Sequence, residues 1–466
     1  MKLRSLAFIA ALSLAACGGS AAPSVAPSTA PAGPSSAPSS AAAKPAASGG
    51  ASAKPAASGA AAANTSSIKV GLIEPLTGAL SPNGKDGRDG FNLFLESINS
   101  TVAGRKIEVI EADSQGAADT SLAKAKQLVE SNGVKALIGF VATPECYAVA
   151  GYVQQAHVPM MVTTDCAAQD LTTNPKFASP YLSRFTNISL TEGDIAADWA
   201  YGAGYRKASV MTADYAPGLQ VSDLFASAFI THGGSIVQEQ HPPLGTNDFG
   251  PYLAQLSADA DLLAIFEVGV DPLRFGAQYP DYVGQKKLQV LDMTGVMTGA
   301  DLMQLQGKSA GFISIANSNI AGDNPVTQQF VKAFRAKYPG RDIAEENISG
   351  YAGGQALAAA IQKVNGNVED QAAFLTALQN VKIDSPKGTL SLDDHHDIIQ
   401  DKYILQIVKN GSDVSLKQLK TYSAVTQYWD RTPQQLAKLN IGQMKGQWVG
   451  MTKDKLGADV LTPPKV

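Results

Sequence analysis

The sequence is poor in the side chains that carry out most enzymatic chemistry. Its 466 residues include only five histidines and three cysteines, and no His-Glu-x-x-His or Cys-x-x-Cys motif is present. The only adjacent histidines, His395 and His396, lie among aspartates, and a solvated turn explains them better than a metal site does, because neighbouring residues rarely point at one ion. These absences argue against an enzyme, and the sequence predicts no cofactor and no metal.

Nucleotide and nucleic-acid binding are also disfavoured. The stretch from Gly78 to Asp86 has the composition of a phosphate loop, but five residues separate Gly78 from Gly84 and Asp86 stands where a Ser or Thr would hold magnesium. A net charge of −4 and an isoelectric point near 5.8 give no electrostatic reason to expect nucleic acid as a partner.

The first sixteen residues have the pattern of a secretory signal. Lys2 and Arg4 precede an apolar run from Leu6 to Ala16 that is shorter than the about 20 residues a transmembrane helix needs. Leu14-Ala-Ala-Cys17-Gly18 resembles the lipobox of bacterial lipoproteins, which implies cleavage before Cys17 and its acylation. We therefore expect an extracytoplasmic protein anchored to a bacterial membrane by lipid; the alternative is an ordinary signal peptide with a chance cysteine.

Residues 17–67 predict a disordered tether. Nearly every residue from 20 to 67 is Ala, Ser, Pro or Gly, and Ala-Lys-Pro-Ala-Ala-Ser-Gly occurs at both 43–49 and 53–59. Such a stretch has no large apolar side chains whose burial could offset its conformational entropy. A mucin-like or wall-spanning stalk is the alternative. With Cys17 acylated, Cys146 and Cys166 are an even pair that can form a disulfide outside the cytoplasm.

From Ile68 onward, short apolar strands alternate with amphipathic helices. The first series runs from the strand 68–73 and the helix 87–99 to a strand at 159–163, and a second series begins at Ala208. About 400 residues are more than one core normally holds. Strands that alternate with helices predict parallel sheets covered on both faces, so we expect an α/β protein with two doubly wound lobes. Ligands of such sheets lie beyond the carboxyl ends of the strands.

Several segments carry a family resemblance. Residues 68–78 (Ile-Lys-Val-Gly-Leu-Ile-Glu-Pro-Leu-Thr-Gly), 104–113, 134–140 and 158–162 resemble the first four strands of the type I periplasmic binding proteins of the leucine/isoleucine/valine-binding family, and the match extends over about 68–425. The resemblance implies two lobes joined by a three-strand hinge, with crossings near Phe185–Ile188, Ala316–Ser318 and Asp397–Asp401. It implies a first lobe of 68–186 plus 318–397, a second of 187–317 plus 398–425, and a C-terminal extension, 426–466, packed on the body.

The resemblance also implies where the ligand binds. Ala142 and Thr143 are expected to offer backbone amides to a carboxylate, with Thr143 as the N-cap of a helix; simple helix capping is the alternative. Thr294 stands where amino-acid binders place an acidic residue, so either Glu267 or Asp165 supplies that charge or the ligand has no ammonium. The cysteine pair is expected at the cleft rim, and core packing is the alternative for Phe266. The predicted ligand-binding residues are Asn83, Ala142, Thr143, Thr164, Asp165, Cys166, Tyr215, Phe266, Glu267, Asp292 and Thr294.

The function implied by these features is solute capture for transport. We expect a monomeric substrate-binding lipoprotein of an ABC importer that closes on a small carboxylate-bearing ligand and hands it to a permease. The ligand would be a branched-chain or other amino acid, or an aromatic or aliphatic acid. A sensory receptor of the same fold, coupled to a separate signalling partner, is the alternative.

Overall fold

The computed structural model describes residues 65–457, apart from 169, 187–190, 283–287, 296–303, 306, 412 and 430. The predicted signal peptide, Cys17 and the tether lie outside the described residues, as do parts of the first crossing and of the C-terminal extension. Among the described helices, none combines the length and the apolar character needed to traverse a bilayer.

A six-stranded sheet forms the first lobe. Its strand order is β2-β3-β1-β4-β5-β6, and all neighbours are parallel except β2 and β3. The strands are β1 (Ile68–Glu74), β2 (Thr101–Val102), β3 (Arg105–Asp113), β4 (Leu137–Gly139), β5 (Met160–Val162) and β6 (Leu182–Arg184). The helices are α1 (Ser81–Ser97), α2 (Ala118–Lys126, continued by a π-helical turn over Gln127–Ser131), α3 (Thr143–Ala156) and α4 (Asp170–Thr173). Three helices from a later part of the chain also belong to this lobe.

A nine-stranded sheet forms the second lobe. Strands β7 (Lys207–Thr212), β8 (Ser235–Gln240), β9 (Leu262–Phe266), β10 (Gln289–Asp292) and β11 (Ile313–Ala316) are parallel, in the order β11-β10-β9-β7-β8. Antiparallel strands β12 (Lys382–Ser385), β13 (Gly388–Leu392), β14 (Ile398–Asn410) and β15 (Asp413–Val425) extend the sheet beyond β11. Its helices are α5 (Thr191–Gly202), α6 (Ala216–His232), α7 (Gly250–Leu253) and α8 (Asp271–Tyr282). The predicted two-lobed α/β fold is confirmed, and the antiparallel strands are an addition to it.

The remaining helices divide between the lobes. Helices α9 (Pro325–Lys337), α10 (Glu345–Lys363) and α11 (Gln371–Gln379) follow β11, and both α9 and α10 pack against α1 of the first lobe. Helices α12 (Pro433–Leu439) and α13 (Lys453–Leu456) follow β15. The apolar side chains predicted for one face of α1, Phe91, Phe94 and Leu95, are buried in the core.

Helices α1 and α10 cross at glycine residues, and this sets their separation. A Cβ atom on Gly90 would lie 2.0 Å from the carbonyl oxygen of Asn347, and one on Gly350 would lie 2.1 Å from that of Gly87. Both distances are far below van der Waals contact, so only glycine allows the two backbones to approach this closely. The crossing brings the first turn of α10 beside the first turns of α1.

The chain crosses between the sheets next to a buried ion pair. Arg184, at the end of β6, forms a salt bridge with Asp397, which immediately precedes β14, and both side chains are fully buried. The Arg184 guanidinium also donates to the carbonyl oxygens of Cys166 and Ala168. The end of β6, where the chain leaves the first lobe, and the start of β14 are thereby joined to the loop after β5.

The described residues after β15, 426–457, are called here the C-terminal segment. Gln427 donates to Asp393 over 2.8 Å, and the Arg431 guanidinium binds both carboxylate oxygens of Asp194 at 2.9 Å. Trp448 is fully buried, and its indole N–H donates to Asp223 of α6 over 2.6 Å. Lys445 lies 2.7 Å from Asp214, which immediately precedes Tyr215. The segment therefore extends from the hinge to the cleft loop of the second lobe.

Candidate functional site

A cavity of about 340 Å³ lies between the two lobes, at the carboxyl ends of their strands. The first lobe contributes the beginnings of α1 and α10, and the second contributes the loops after β9 and β10 together with Leu416 of β15. Residues 316–318, where the chain leaves β11, form its floor. Its volume falls within the range of small-molecule sites, and its position is the one expected for open α/β sheets.

Carboxyl groups dominate the first-lobe side of the cavity. Asp86 of α1 and Glu345 and Glu346 of α10 line it. Glu346 accepts a hydrogen bond of 2.6 Å from the Asn83 side-chain amide, and burial raises the pKa of this carboxyl group. Glu345 lies 3.0 Å from Lys387 and accepts a 3.1 Å hydrogen bond from Ser318. Two acidic residues in the first turn also complement the dipole of α10.

The loop after β4 is arranged differently from the prediction. Helix α3 starts at Thr143, so its N-cap is Ala142, and the prediction that Thr143 is the N-cap is wrong by one residue. The reason is Glu145, which accepts from the Ala142 amide over 2.7 Å and from the Ser121 hydroxyl over 2.6 Å. The amide expected to bind a carboxylate is therefore occupied by a carboxylate of the protein itself.

The loop after β5 is largely buried beneath the surface of the cleft instead of forming its rim. Cys146 and Cys166 form a disulfide with Cα atoms 6.4 Å apart, and both are fully buried in the core of the first lobe instead of at the expected rim. Thr164 donates its hydroxyl hydrogen to Glu74, whose pKa is raised well above its usual range by burial. For Asp165, burial together with the charge of Glu346 raises the pKa to about 7.

On the second lobe, Tyr215 and Phe266 have different environments. Tyr215 is the N-cap of α6 and is half-buried. Burial and the negative charges of Asp165, Glu267 and Glu192 raise the pKa of its hydroxyl. Phe266 ends β9 and is 3% exposed within the main apolar core, so core packing accounts for it.

Glu267 is the most unusual group at the cleft. It is 1% exposed, and neither of its carboxyl oxygens has a hydrogen-bond partner among the described residues. Burial and the neighbouring charge of Asp271 raise its pKa to about 9, so the carboxyl group is protonated at neutral pH in this structure. Gly269 and Val270, two and three residues later, line the cavity.

The loop after β10 is held by Asp292. One oxygen of this carboxylate accepts from the backbone N–H of Thr294 over 2.9 Å and also from its hydroxyl group. The other oxygen accepts a 2.6 Å hydrogen bond from Ser314. Thr294 lines the cavity, whereas Asp292 is 1% exposed. Asp292 therefore has a structural role in shaping the loop.

Ser309 has the sequence spacing of a hydrolase nucleophile, but its position in the structure does not fit that role. Ser309 lies between Gly307 and Gly311 in a Gly-x-Ser-x-Gly arrangement, but it is fully buried and precedes strand β11. A nucleophile elbow instead exposes its serine at a turn from a strand into a helix. The structure does not support a nucleophilic role for Ser309.

The structure brings two of the predicted site residues, Asn83 and Thr294, to the cavity wall. The sequence analysis missed Asp86, Asn317, Ser318, Glu345 and Glu346. The last two begin a helix and do not follow a strand, so the rule for open sheets does not find them. The Glu345-Glu346 pair at a helix start was a visible signal, but it also has the ordinary interpretation of favourable charges in a first turn. Its place at the cavity depends on the packing of α10 against α1.

Two α/β lobes and a cleft at the ends of their strands define a solute-binding protein of type I architecture. The chain belongs to the periplasmic binding protein family, whose model matches residues 67–412. A Leu/Ile/Val-binding protein homolog 6 of Brucella melitensis is 27% identical over 348 residues, covering 73% of this chain and 88% of that protein.

Solved structures agree with this assignment. An ABC transporter substrate-binding protein from Sphaerobacter thermophilus is similar with a TM-score of 0.73 and 29% identity, covering 77% of this chain and 98% of that one. A solute-binding protein of an ABC transporter from Rhodopseudomonas palustris HaA2, in complex with p-hydroxybenzoic acid, is similar with a TM-score of 0.70 and 26% identity, covering 78% and 98% of the two chains.

Proposed function

We propose that this protein captures a small carboxylate-bearing solute outside the cytoplasm and delivers it to the permease of an ABC importer. The observation that most directly supports this proposal is the cavity between the lobes, because a ligand that contacts both lobes stabilises their closed arrangement. The p-hydroxybenzoic acid bound to the R. palustris relative and the Leu/Ile/Val-binding name of the Brucella relative support an acid or amino-acid ligand.

The residues that we assign to the solute lie on both lobes. Asn83 and Thr294 line the cavity, Glu267 lies two residues before the lining residue Gly269, and the charges of Asp165 and Glu267 act on Tyr215. The Ala142–Thr143 turn is a weaker candidate for a carboxylate, because Glu145 occupies the Ala142 amide. Cys166, Thr164, Phe266 and Asp292 act through packing, the disulfide and loop shape.

A thermal-shift screen tests the binding function. A solute that binds only the native state raises the melting temperature in proportion to the logarithm of its concentration. We expect at least one amino acid or aromatic acid to stabilise the protein, and uptake of that compound to stop in cells that lack the gene. No shift with any of these compounds at millimolar concentration would contradict solute capture.

Anchoring is a separate part of the proposal. Lipid on Cys17 would keep the binding lobes close to the permease, with residues 18–67 as the tether. We expect the Cys17→Ser variant to lose fatty-acid labelling and to leave the membrane fraction while its purified lobes still bind the solute. Membrane retention without labelling would contradict the lipoprotein assignment.

A further inference from the structure

Carboxyl groups outnumber cationic groups around the cleft. Some of them are balanced by salt bridges, namely Asp86 with Arg341, Glu345 with Lys387 and Glu192 with Lys402. Within the part of the chain that the structure describes, four others have no lysine or arginine at salt-bridge distance: Glu74, Asp165, Glu267 and Glu346. None of the described residues that line the cavity is basic.

Two of these carboxyl groups belong to opposite lobes at the cavity: Glu346 lines it, and Glu267 lies two residues before Gly269, which also lines it. Glu346 lies at the start of α10, and its charge acts on Asp165 in the loop after β5. Asp165 and Glu267 in turn both act on Tyr215 of the second lobe. The charge of Asp271 acts on Glu267, those of Asp86 and Glu345 act on Glu346, and the positive charges of Arg184 and Lys387 act on Asp165. A solute between the lobes would therefore meet carboxyl groups on both sides.

Three side-chain donors of the cavity wall are directed at carboxylates of the protein. Asn83 donates to Glu346, Ser318 donates to Glu345 and Thr294 donates to Asp292. Both oxygens of Glu267 and one oxygen of Glu74 remain without a donor among the described residues. A buried acceptor without a donor is costly, and donors on a bound solute would satisfy it.

We propose that the solute carries a net positive charge, so that an ammonium or guanidinium group enters the cavity and pairs with Glu346 and Glu267. This inference rests on the proposed function, and it specifies the ligand class of the same cleft. A neutral zwitterion would bring a carboxylate of its own and leave the excess negative charge uncompensated. The expected class is therefore a basic amino acid or a close analogue.

The shape and lining of the cavity fit an alkyl chain that ends in a cation. Apolar side chains of Val270, Ile320, Ile343 and Leu416 line it together with the carboxyl groups. Methylene groups can pack on such side chains while a planar guanidinium or an ammonium donates to the carboxylates. No aromatic side chain lines the described cavity, so it offers no ring for a benzoate to stack on.

The test compares four probes by calorimetry on the purified lobes at pH 6 and pH 8: arginine, agmatine, leucine and 4-hydroxybenzoate. We expect arginine to bind most tightly, with affinity that increases with pH because the cation displaces protons from the carboxyl groups. An acid that binds the protonated carboxyl groups would show the opposite pH dependence. Glu346→Gln and Glu267→Gln should each weaken arginine binding about tenfold.

The Glu111→Gln variant is the matched control, because it removes an exposed carboxylate that does not line the cavity and should leave the affinity unchanged. If one of the two cleft variants fails to fold, the other still decides the question. Tighter binding of leucine or 4-hydroxybenzoate than of either cation would overturn the inference and leave the proposed function intact. Absence of binding by all four probes would overturn the inference, while the wider thermal-shift screen decides the proposed function.

Discussion

The two lobes are fastened beside the cleft in different ways. In the first lobe, a disulfide joins Cys146 of α3 to Cys166 in the loop after β5. In the second lobe, the C-terminal segment binds α5 and α6 through Arg431 and Trp448 without a covalent bond. The loops on one side of the site thus depend on an oxidising compartment, while those on the other depend on chain beyond residue 412, where the family match ends.

Loss of Arg431 should have the largest effect. The Arg431→Met variant leaves Asp194 buried without its partner, and breaking such a pair costs about 3–5 kcal/mol of unfolding free energy. Urea denaturation measures this, with Gln434→Ala on exposed α12 as the control. The double variant Arg431→Met/Asp194→Leu should recover much of the loss, and equal instability of the single and double variants would contradict the explanation.

Removal of the disulfide should have the next largest effect. Cys146 and Cys166 are 20 residues apart, and a loop of this size stabilises by about 3 kcal/mol when it is closed. We expect Cys146→Ala/Cys166→Ala, or reduction of the native protein, to lower the urea midpoint by the corresponding amount. Amide exchange should increase in α3 and around 160–168 while the second lobe stays protected. Equal loosening of both lobes would contradict a local role.

Trp448→Phe should have a smaller effect on the second lobe. The ring remains buried, but the indole N–H no longer donates to Asp223, which costs about 1–2 kcal/mol. Asp223 keeps its hydrogen bonds from the backbone N–H groups of Gly442 and Met444, so the segment should stay bound. Release of the segment, seen as rapid proteolysis after residue 426, would show that this single hydrogen bond holds it.

The smallest effect is expected from Glu267, when the free energy of unfolding is compared across a single pH unit. Its pKa of about 9 in the folded state exceeds the ordinary glutamate value, so the native state holds a proton that the unfolded state has lost. The contribution of Glu267 to stability should therefore be greatest below about pH 4.5 and fall as pH rises towards 9, by about 1.4 kcal/mol per pH unit. Glu267→Gln should remove this slope; identical slopes in both proteins would contradict the assignment.

The strands and helices could be predicted because their signals are local. The apolar run of β1 and the stripe of Phe91, Phe94 and Leu95 on α1 are fixed by period and burial, which the sequence displays directly. The turn before α3 shows the limit of such signals. Thr143 and Ala142 are equally plausible N-caps by position, and the choice depends on Glu145, which also binds Ser121 from another helix.

The cavity wall could be predicted only in part. Asn83 and Thr294 follow strands and are found by the rule for open sheets, whereas Glu345 and Glu346 reach the cavity because α10 packs on α1 far away in sequence. The sequence also does not show whether a carboxyl group has hydrogen-bond partners. Asp292 and Glu267 occupy similar positions at strand ends, yet one accepts three hydrogen bonds and the other none from the described residues.

The close contact of α1 and α10 at their glycine residues determines the width of the cavity. Glu345 and Glu346 are carried by α10, so the width of the cavity follows the separation of the two helix axes at Gly90 and Gly350. A methyl group at either glycine would push α10 outward and carry both carboxylates away from the opposite lobe. Substitutions at these glycines can therefore change which lengths of solute fit the cavity, even if every residue that contacts the solute stays the same.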